Sequence, residues 1–172
     1  MRAKSILLTA SLAASLALSQ SAMADADADA KAAFTARYAQ LRTAFESRDP
    51  KAIKALLAPK FQSFDVRGEA SDADEMIDDL GRFPPNADRK TEMTIKSVAT
   101  KGDTAVVEQT RDIKLSHPGP DSAAHAMEIV STSDDSWVQS PSGWLLASTA
   151  TIDMTIMRDG VVMRHMSKGD GQ

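Results

Sequence analysis

The 172-residue sequence contains no cysteine, one tyrosine and three histidines. Without cysteine there is no disulfide framework, thiolate zinc site, cysteine nucleophile or lipidated N-terminal cysteine. Acidic residues outnumber basic ones by 24 to 20, which gives a net charge of −4 and a pI near 5.3. This charge argues against a nucleic-acid-binding protein, which needs a basic face. With so few histidines, we predict neither a metal site nor a cofactor.

Apart from these absences, the composition is that of an ordinary globular protein, with 42% apolar and 26% charged residues. The length indicates one domain. A single long apolar run, over residues 6–18, follows Arg2 and Lys4. It is shorter than the roughly 20 residues that a membrane span needs, but it has the length of a signal-peptide core.

An A-x-A cleavage motif ends at Ala24. We therefore predict a signal peptide over residues 1–24, cleaved between Ala24 and Asp25. The product is expected to be exported, either periplasmic or secreted, and to have no membrane contact after cleavage. The alternating Asp and Ala residues at 25–30 are interpreted as a flexible acidic leader.

Helical periodicity dominates the next part of the chain. Over residues 31–48, one apolar stripe contains Phe34, Tyr38, Leu41 and Phe45. Asp49 and Pro50 then form an N-cap and first helical position for a second, shorter helix. A short strand is predicted over residues 61–66. Beyond it, a capping-box pattern predicts a third helix, with Ser71 as N-cap and Asp74 three residues later.

After residue 90 the apolar period changes to two, which predicts strands. The first contains Met93, Ile95 and Val98; longer strands follow over residues 104–116, 124–139 and 144–157. A hairpin turn at residues 158–160 leads to a last short strand. Helices separated from a run of antiparallel strands indicate an α+β domain over residues 31–165, followed by a polar tail at 166–172. Strands of this length can curl around the helices.

Several stretches of the sequence, in their order and spacing, resemble the NTF2-like superfamily, which includes ketosteroid isomerase, scytalone dehydratase and the SnoaL-like and DUF4440 groups. They are Tyr38-Ala39-Gln40-Leu41, the run from Phe45 to Ile53, the run from Leu56 to Phe61, the Asp65-x-x-Gly68 turn, and the final hairpin from Trp137 to Leu146. The resemblance implies a cone-shaped half-barrel, in which N-terminal helices pack on a strongly curved, mainly antiparallel sheet. It also implies an apolar pocket and a homodimer formed through the sheet, whereas function varies widely among members.

Asp65 and Tyr38 are the candidate catalytic residues. Asp65 lies three residues before Gly68, and ketosteroid isomerases carry their proton-shuttling aspartate in a similar setting. A carboxylate in an apolar pocket can act as a general base, and Tyr38 could supply the acid. The alternative is that Asp65 only accepts backbone N–H bonds in its own turn.

Gln109 and Arg111 are candidate pocket residues. On the strand that begins at Thr104 they share the more apolar phase, which is expected to face the helices. Arg111 could bind a ligand carboxylate, pair with Asp65, or lie in water at a strand end.

Met127, Ile129, Trp137 and Trp144 complete the predicted pocket, although the same side chains could simply fill the core. His125 and Asp135 share the phase of Trp137, but about 33 Å of extended strand separates them. No serine is placed as a nucleophile, so we exclude a hydrolase triad.

Three functions remain open. The first is a module that binds a small apolar or amphipathic molecule in the half-barrel, and it is favoured because a complete catalytic set is missing. The second is a cofactor-independent isomerase, dehydratase or cyclase with Asp65 as base. The third is a partner-binding protein that uses the open sheet face.

Overall fold

The computed structural model describes the backbone of residues 14–82, 88–118 and 123–170. These residues contain three helices and seven strands, and the third helix lies between the second and third strands. The elements are α1 (Ala14–Ser47), α2 (Pro50–Lys54), β1 (Leu57–Phe64), β2 (Ala70–Asp72), α3 (Ala73–Arg82), β3 (Lys90–Lys101), β4 (Thr104–Pro118), β5 (Ala124–Ser140), β6 (Gly143–Arg158) and β7 (Val161–Ser167).

The strands form one sheet in the order β2-β1-β6-β5-β4-β3. All neighbouring pairs are antiparallel except β1 and β6, and β7 pairs with the second half of β6. The register shifts between several strand pairs, for example between Thr132 and Ser133 of β5 where it pairs with β6. Such bulges bend and twist a sheet. The predicted α+β fold, with helices on a curved, mainly antiparallel sheet, is therefore confirmed.

The apolar stripe of α1 packs on the concave face of the sheet. Phe34, Tyr38 and Leu41 are all buried, as the periodicity predicts. Beneath them lies Trp137 of β5, 1% exposed, and its ring centroid is 5.5 Å from that of Phe34. Burying aromatic side chains of this size is worth a few kcal/mol each, so this contact joins the helix layer to the sheet.

The second helix begins where the sequence predicts it. The Asp49 side chain accepts a hydrogen bond from Lys51 N, and Pro50 is the first helical residue. The following strand starts earlier than predicted, at Leu57, because Leu57 pairs with Leu146 of β6 and is buried. A tertiary pairing thus fixes this boundary.

The third helix has its cap one residue later than predicted. Asp72 Oδ1 accepts the N–H groups of Asp74 and Glu75, while Glu75 Oε2 accepts the N–H of Asp72. This is a capping box at Asp72 and Glu75. Ser71 and Asp72 both pair with β1, but it is the Asp72 side chain that accepts the first N–H groups of α3.

Helix α1 begins at Ala14, before residue 31, where the predicted domain starts. Residues 25–30, predicted to be a flexible leader, are helical in α1. Alanine is the strongest helix former, and extending an existing helix is easier than nucleating one. The predicted signal-peptide residues 1–13 lie outside the described residues. Within the described residues, no helix is long and apolar enough to cross a membrane.

The C-terminal hairpin turns at the predicted place. Asp159 adopts a φ of 52°, and its carboxylate contacts the start of β5 through His125 Nδ1 at 2.6 Å and Ala126 N at 2.9 Å. The His125 contact lowers the pKa of Asp159. Strand β7 then continues to Ser167, into the segment predicted as a polar tail, because the Ser167 hydroxyl donates to Asp153.

A glycine at the β5–β6 turn generates a stability prediction. Gly143 has a φ of +102°, and a methyl group there would overlap the Arg37 guanidinium, whose Nη2 donates to Ser142 O at 2.7 Å. We expect Gly143→Ala to lower the free energy of unfolding by about 1–3 kcal/mol, because the backbone is strained and Arg37 is displaced. Urea unfolding measures this loss.

Gly68→Ala is the matched control. Gly68 also has a positive φ, +84°, but a methyl group there would meet nothing within 4 Å. It should therefore cost less than Gly143→Ala. Equal losses for the two variants would contradict a role for the Arg37 contact.

Candidate functional site

A buried carboxylate lies at the centre of the concave face. Asp135 of β5 is 1% exposed. Its Oδ2 accepts a hydrogen bond from the Tyr38 hydroxyl at 2.6 Å. Its Oδ1 accepts hydrogen bonds from the hydroxyls of Ser133, at 3.0 Å, and Thr149. A buried carboxylate is stable only when such donors replace water, and here one helix and two strands supply them.

Gln109 extends this arrangement to β4. Its Nε2 donates to Ser133 Oγ at 2.8 Å, and the side chain is 1% exposed. Cross-strand pairing explains the contacts, since Gln109 pairs with Ser133 and Asp135 pairs with Thr149. We call this set the polar network; it consists of Tyr38, Gln109, Ser133, Asp135 and Thr149.

The environment of Tyr38 keeps its hydroxyl protonated. Burial raises the pKa of Tyr38 far above its ordinary value, and the adjacent Asp135 carboxylate raises it further. The Arg111 charge acts in the opposite direction and lowers the Tyr38 pKa slightly. Tyr38 is therefore a hydrogen-bond donor over the whole physiological pH range.

Trp137 and Trp144, both predicted to line a pocket, lie against α1 instead of an open space. Phe34 contacts both, with centroid distances of 5.5 Å to Trp137 and 5.2 Å to Trp144, and Tyr38 meets Trp137 edge-on. Trp137 Nε1 lies near the Tyr38 hydroxyl and lowers the pKa of Tyr38. This N–H group makes no regular hydrogen bond, however. The structure therefore gives both tryptophans a packing role.

Arg111 lies beyond the polar network on the same face of β4. It is half-buried and pairs across the sheet with Met93 of β3 and Ser131 of β5. Among residues 14–82, 88–118 and 123–170, no carboxylate forms an ion pair with it, and Asp65 in particular does not. Asp135 is nearby, but its oxygens are occupied by three hydroxyl donors.

The concave face becomes apolar again beyond Arg111. Six half-buried side chains occupy this region, which we call the distal apolar face: Ile113, Leu115, Met127, Ile129, Met154 and Ile156. None of them belongs to the buried core cluster beneath the helices or packs against it. The predicted pocket residues Met127 and Ile129 are therefore on one surface with Arg111, separated from the tryptophans by the polar network.

Asp65 is not brought together with Tyr38. It is exposed, and its Oδ1 accepts the backbone N–H groups of Arg67 at 2.8 Å and Glu69 at 2.9 Å. Tyr38 is buried and donates to Asp135. The geometry gives Asp65 the turn-capping role that was the alternative interpretation, so Asp65 is not positioned as a general base.

Two further features of the described residues bear on where a site could lie. A groove of about 460 Å³ lies at the β1–β2 edge beside α3, lined by Lys60, Gln62, Asp72 and neighbouring residues. None of the residues of the polar network lines it, and Lys54 already pairs with Asp74 beside it. In the described part of the chain, no three His, Asp or Glu side chains are grouped to hold a metal ion.

Sequence reasoning missed Asp135, Ser133 and Thr149 as members of the site. Asp135 was considered only as a partner for His125. One pattern could have indicated it: a carboxylate two residues before Trp137, on the inward phase of a strand, must find buried donors. Thr149 was not predictable, because the register shift between Ser136 and Trp137 changes which β6 side chains face inward.

Comparison with known proteins places the chain in a family. Residues 24–140 match the model of the SnoaL-like domain. No curated protein matches the sequence.

Solved structures share the fold at low identity. A conserved protein from Planctomyces limnophilus is 13% identical with a TM-score of 0.59, covering 73% of this chain and 94% of its own. The Kfla4162 protein from Kribbella flavida is 14% identical with a TM-score of 0.58, covering 83% and 94%. A candidate dehydratase from the NTF2-like family, from Streptomyces avermitilis, is 18% identical with a TM-score of 0.51, covering 69% and 92%.

Because Tyr38 is the only tyrosine, its ionisation can be measured directly. In the folded protein we expect no tyrosinate absorbance near pH 10, whereas the denatured chain titrates at about pH 10. Because the folded pKa is raised, the contribution of Tyr38 to stability is constant below about pH 10 and falls above it, by about 1.4 kcal/mol per pH unit. Ultraviolet titration and urea unfolding as a function of pH measure both effects.

Tyr38→Phe separates this effect from general alkaline denaturation. The variant should lose the tyrosine-linked part of the pH slope, and leaving Asp135 Oδ2 without its donor should cost about 1–3 kcal/mol. Thr43→Ala, which removes an exposed hydroxyl from the same helix, should cost no more than about 0.5 kcal/mol. A normal titration of Tyr38 in the folded state would refute the buried pair.

Proposed function

The chain belongs to the SnoaL-like family, which has the NTF2-like fold, and from this premise we propose that it is a binding module for a small apolar or amphipathic molecule. The molecule would lie on the concave side of the sheet, over the distal apolar face. The observation that carries this proposal is the contrast between the two parts of that side. Beneath α1 the aromatic core is closed, whereas the distal apolar face stays half-exposed.

Half-exposed apolar side chains gathered on one concave surface favour a ligand. Covering them removes apolar area from water, at roughly 25 cal/mol per Å². Single exposed apolar residues need no explanation, but six on adjacent strands form a patch of the kind that marks binding sites. Polar groups at one border of the patch would orient the ligand.

We do not propose the isomerase or dehydratase reaction with Asp65 as base. Its carboxylate is held in its own turn, in solvent. The Tyr38 hydroxyl is already committed to Asp135, so using it as an acid would leave a buried carboxylate short of a donor.

A second copy of this chain is a further candidate partner, and it would bind to the opposite face of the sheet. That outer face contains Val106, which is 46% exposed, and the half-buried Val130. A homodimer through this face would cover them, and it is compatible with ligand binding on the concave side. It would make the chain a partner-binding module as well.

Substitutions at two adjacent residues of β5 distinguish ligand binding on the concave side from dimerisation through the outer face. Ile129 belongs to the distal apolar face, whereas Val130 points to the outer face, and both are half-buried. We expect Ile129→Glu to reduce the affinity for an apolar fluorescent probe at least tenfold, because a carboxylate in the patch must be desolvated. Val130→Glu should leave the affinity unchanged. Probe titration followed by fluorescence measures both.

Sedimentation of the same variants tests the second copy. Val130→Glu should convert a homodimer to monomer, whereas Ile129→Glu should not. If neither variant changes probe affinity, or if wild-type protein binds no probe, the ligand-binding proposal is wrong. Native mass spectrometry of protein from its natural source is expected to show a retained small molecule.

We also propose that the chain is exported after cleavage at Ala24. The proposal is supported by the position of the core, since the first buried side chain described in α1 is Phe34, ten residues after the cleavage site. Removing residues 1–24 would therefore leave the helix–sheet contacts in place.

Mass spectrometry of the exported fraction tests this proposal. The mature protein should begin at Asp25, and Ala24→Arg should accumulate as the uncleaved precursor, because the cleavage site needs a small residue. Ala28→Arg, four residues downstream, should be processed normally. Uncleaved wild-type protein confined to the cytoplasm would contradict export.

A further inference from the structure

Arg111 is half-buried, and its guanidinium forms no ion pair or hydrogen bond with any residue in the described ranges. A guanidinium keeps its charge at every physiological pH, and removing it from water without a counter-ion is unfavourable. Asp135 accepts three hydroxyl hydrogen bonds and forms no ion pair with Arg111, although the charges of both residues act on Tyr38. The Arg111 guanidinium therefore has no direct ion-pair partner on the concave face among the described residues.

Gln109, two residues away on the same face, adds a second unmatched group. Its Nε2 donates to Ser133, and Ser133 in turn donates to Asp135, so this chain of bonds fixes the orientation of the amide. Its Oε1 is buried and accepts no hydrogen bond. The Gln109 side chain is 1% exposed and Arg111 is half-buried, so Arg111, rather than Gln109, is accessible to a ligand on this face.

The apolar surface continues from Arg111 in the other direction. Ile113 follows Arg111 on β4, and Ile129 pairs with Ile113 on β5. Arg111 and these apolar side chains therefore adjoin on one surface, which matches a molecule with one anionic group and a hydrocarbon part.

We infer that the ligand is an amphipathic carboxylate, with its carboxylate on Arg111 and its apolar part along the distal apolar face. This inference rests on the proposed binding function and names its ligand class. A carboxylate fits better than a phosphate, because one guanidinium matches one negative charge and its fork bonds both carboxylate oxygens. Within the described residues no other Arg or Lys shares this face of β4 or β5 with Arg111. The two cations that share it on β6 and β7, Arg158 and Arg164, pair with Met127 and Ile156 at the end away from Gln109.

Dodecanoate and dodecanol are the probes that test the inference, since they share a chain and differ in the head group. Isothermal titration at pH 8 should give at least tenfold tighter binding of dodecanoate to the wild-type protein. Arg111→Gln should abolish this preference by weakening dodecanoate alone. Arg67→Gln, which removes an exposed cation from the turn between β1 and β2, is the matched control and should keep the preference.

The outcomes separate the inference from the proposed function. Equal binding of both probes to the wild type, or an unchanged preference in Arg111→Gln, overturns the carboxylate assignment and leaves the binding module standing. If the wild-type protein binds neither probe, both the carboxylate assignment and the binding module are wrong. If circular dichroism shows that Arg111→Gln does not fold, Arg111→Lys replaces it; a several-fold smaller preference supports the guanidinium contact, and an unchanged one overturns it.

Discussion

The hydrogen bond between Tyr38 and Asp135 is the interaction on which the arrangement of this molecule depends. A carboxylate that is 1% exposed would be unstable without donors, and Tyr38 supplies one from the helix layer. Ser133 and Thr149 supply the others from the sheet. The requirement to satisfy one charge therefore fixes the position of α1 and the register of β5 and β6 at the same place.

The polar network also divides the concave side into two parts with different properties. On one side of it, Phe34, Tyr38 and Trp137 fill the space under α1 with aromatic rings. On the other side, the distal apolar face is half-exposed, and its side chains neither belong to the buried cluster under the helices nor pack against it. The fold thus buries one part of the concave side and leaves the other part accessible to solvent.

This division explains why the candidate residues from the sequence separate into distinct roles. Asp65 and Tyr38 both belong to motifs that resemble an isomerase, yet one caps an exposed turn and the other is sealed in the core. Gln109 and Arg111 differ by only two residues. Gln109 is bonded into the network, whereas the Arg111 guanidinium at its border forms no ion pair within the described residues.

The sequence by itself determined the fold class, the inward stripe of α1, the inward phase of β4 that contains Gln109 and Arg111, and the N-cap at Asp49. These features depend on local periodicity and on side chains that bond to their own backbone. Only the tertiary structure decided that Asp135 is the partner of Tyr38, that Leu57 starts β1, and that Asp72 caps α3. Each of these depends on residues distant in sequence meeting in a register that bulges shift, and a single strand read alone does not contain that register.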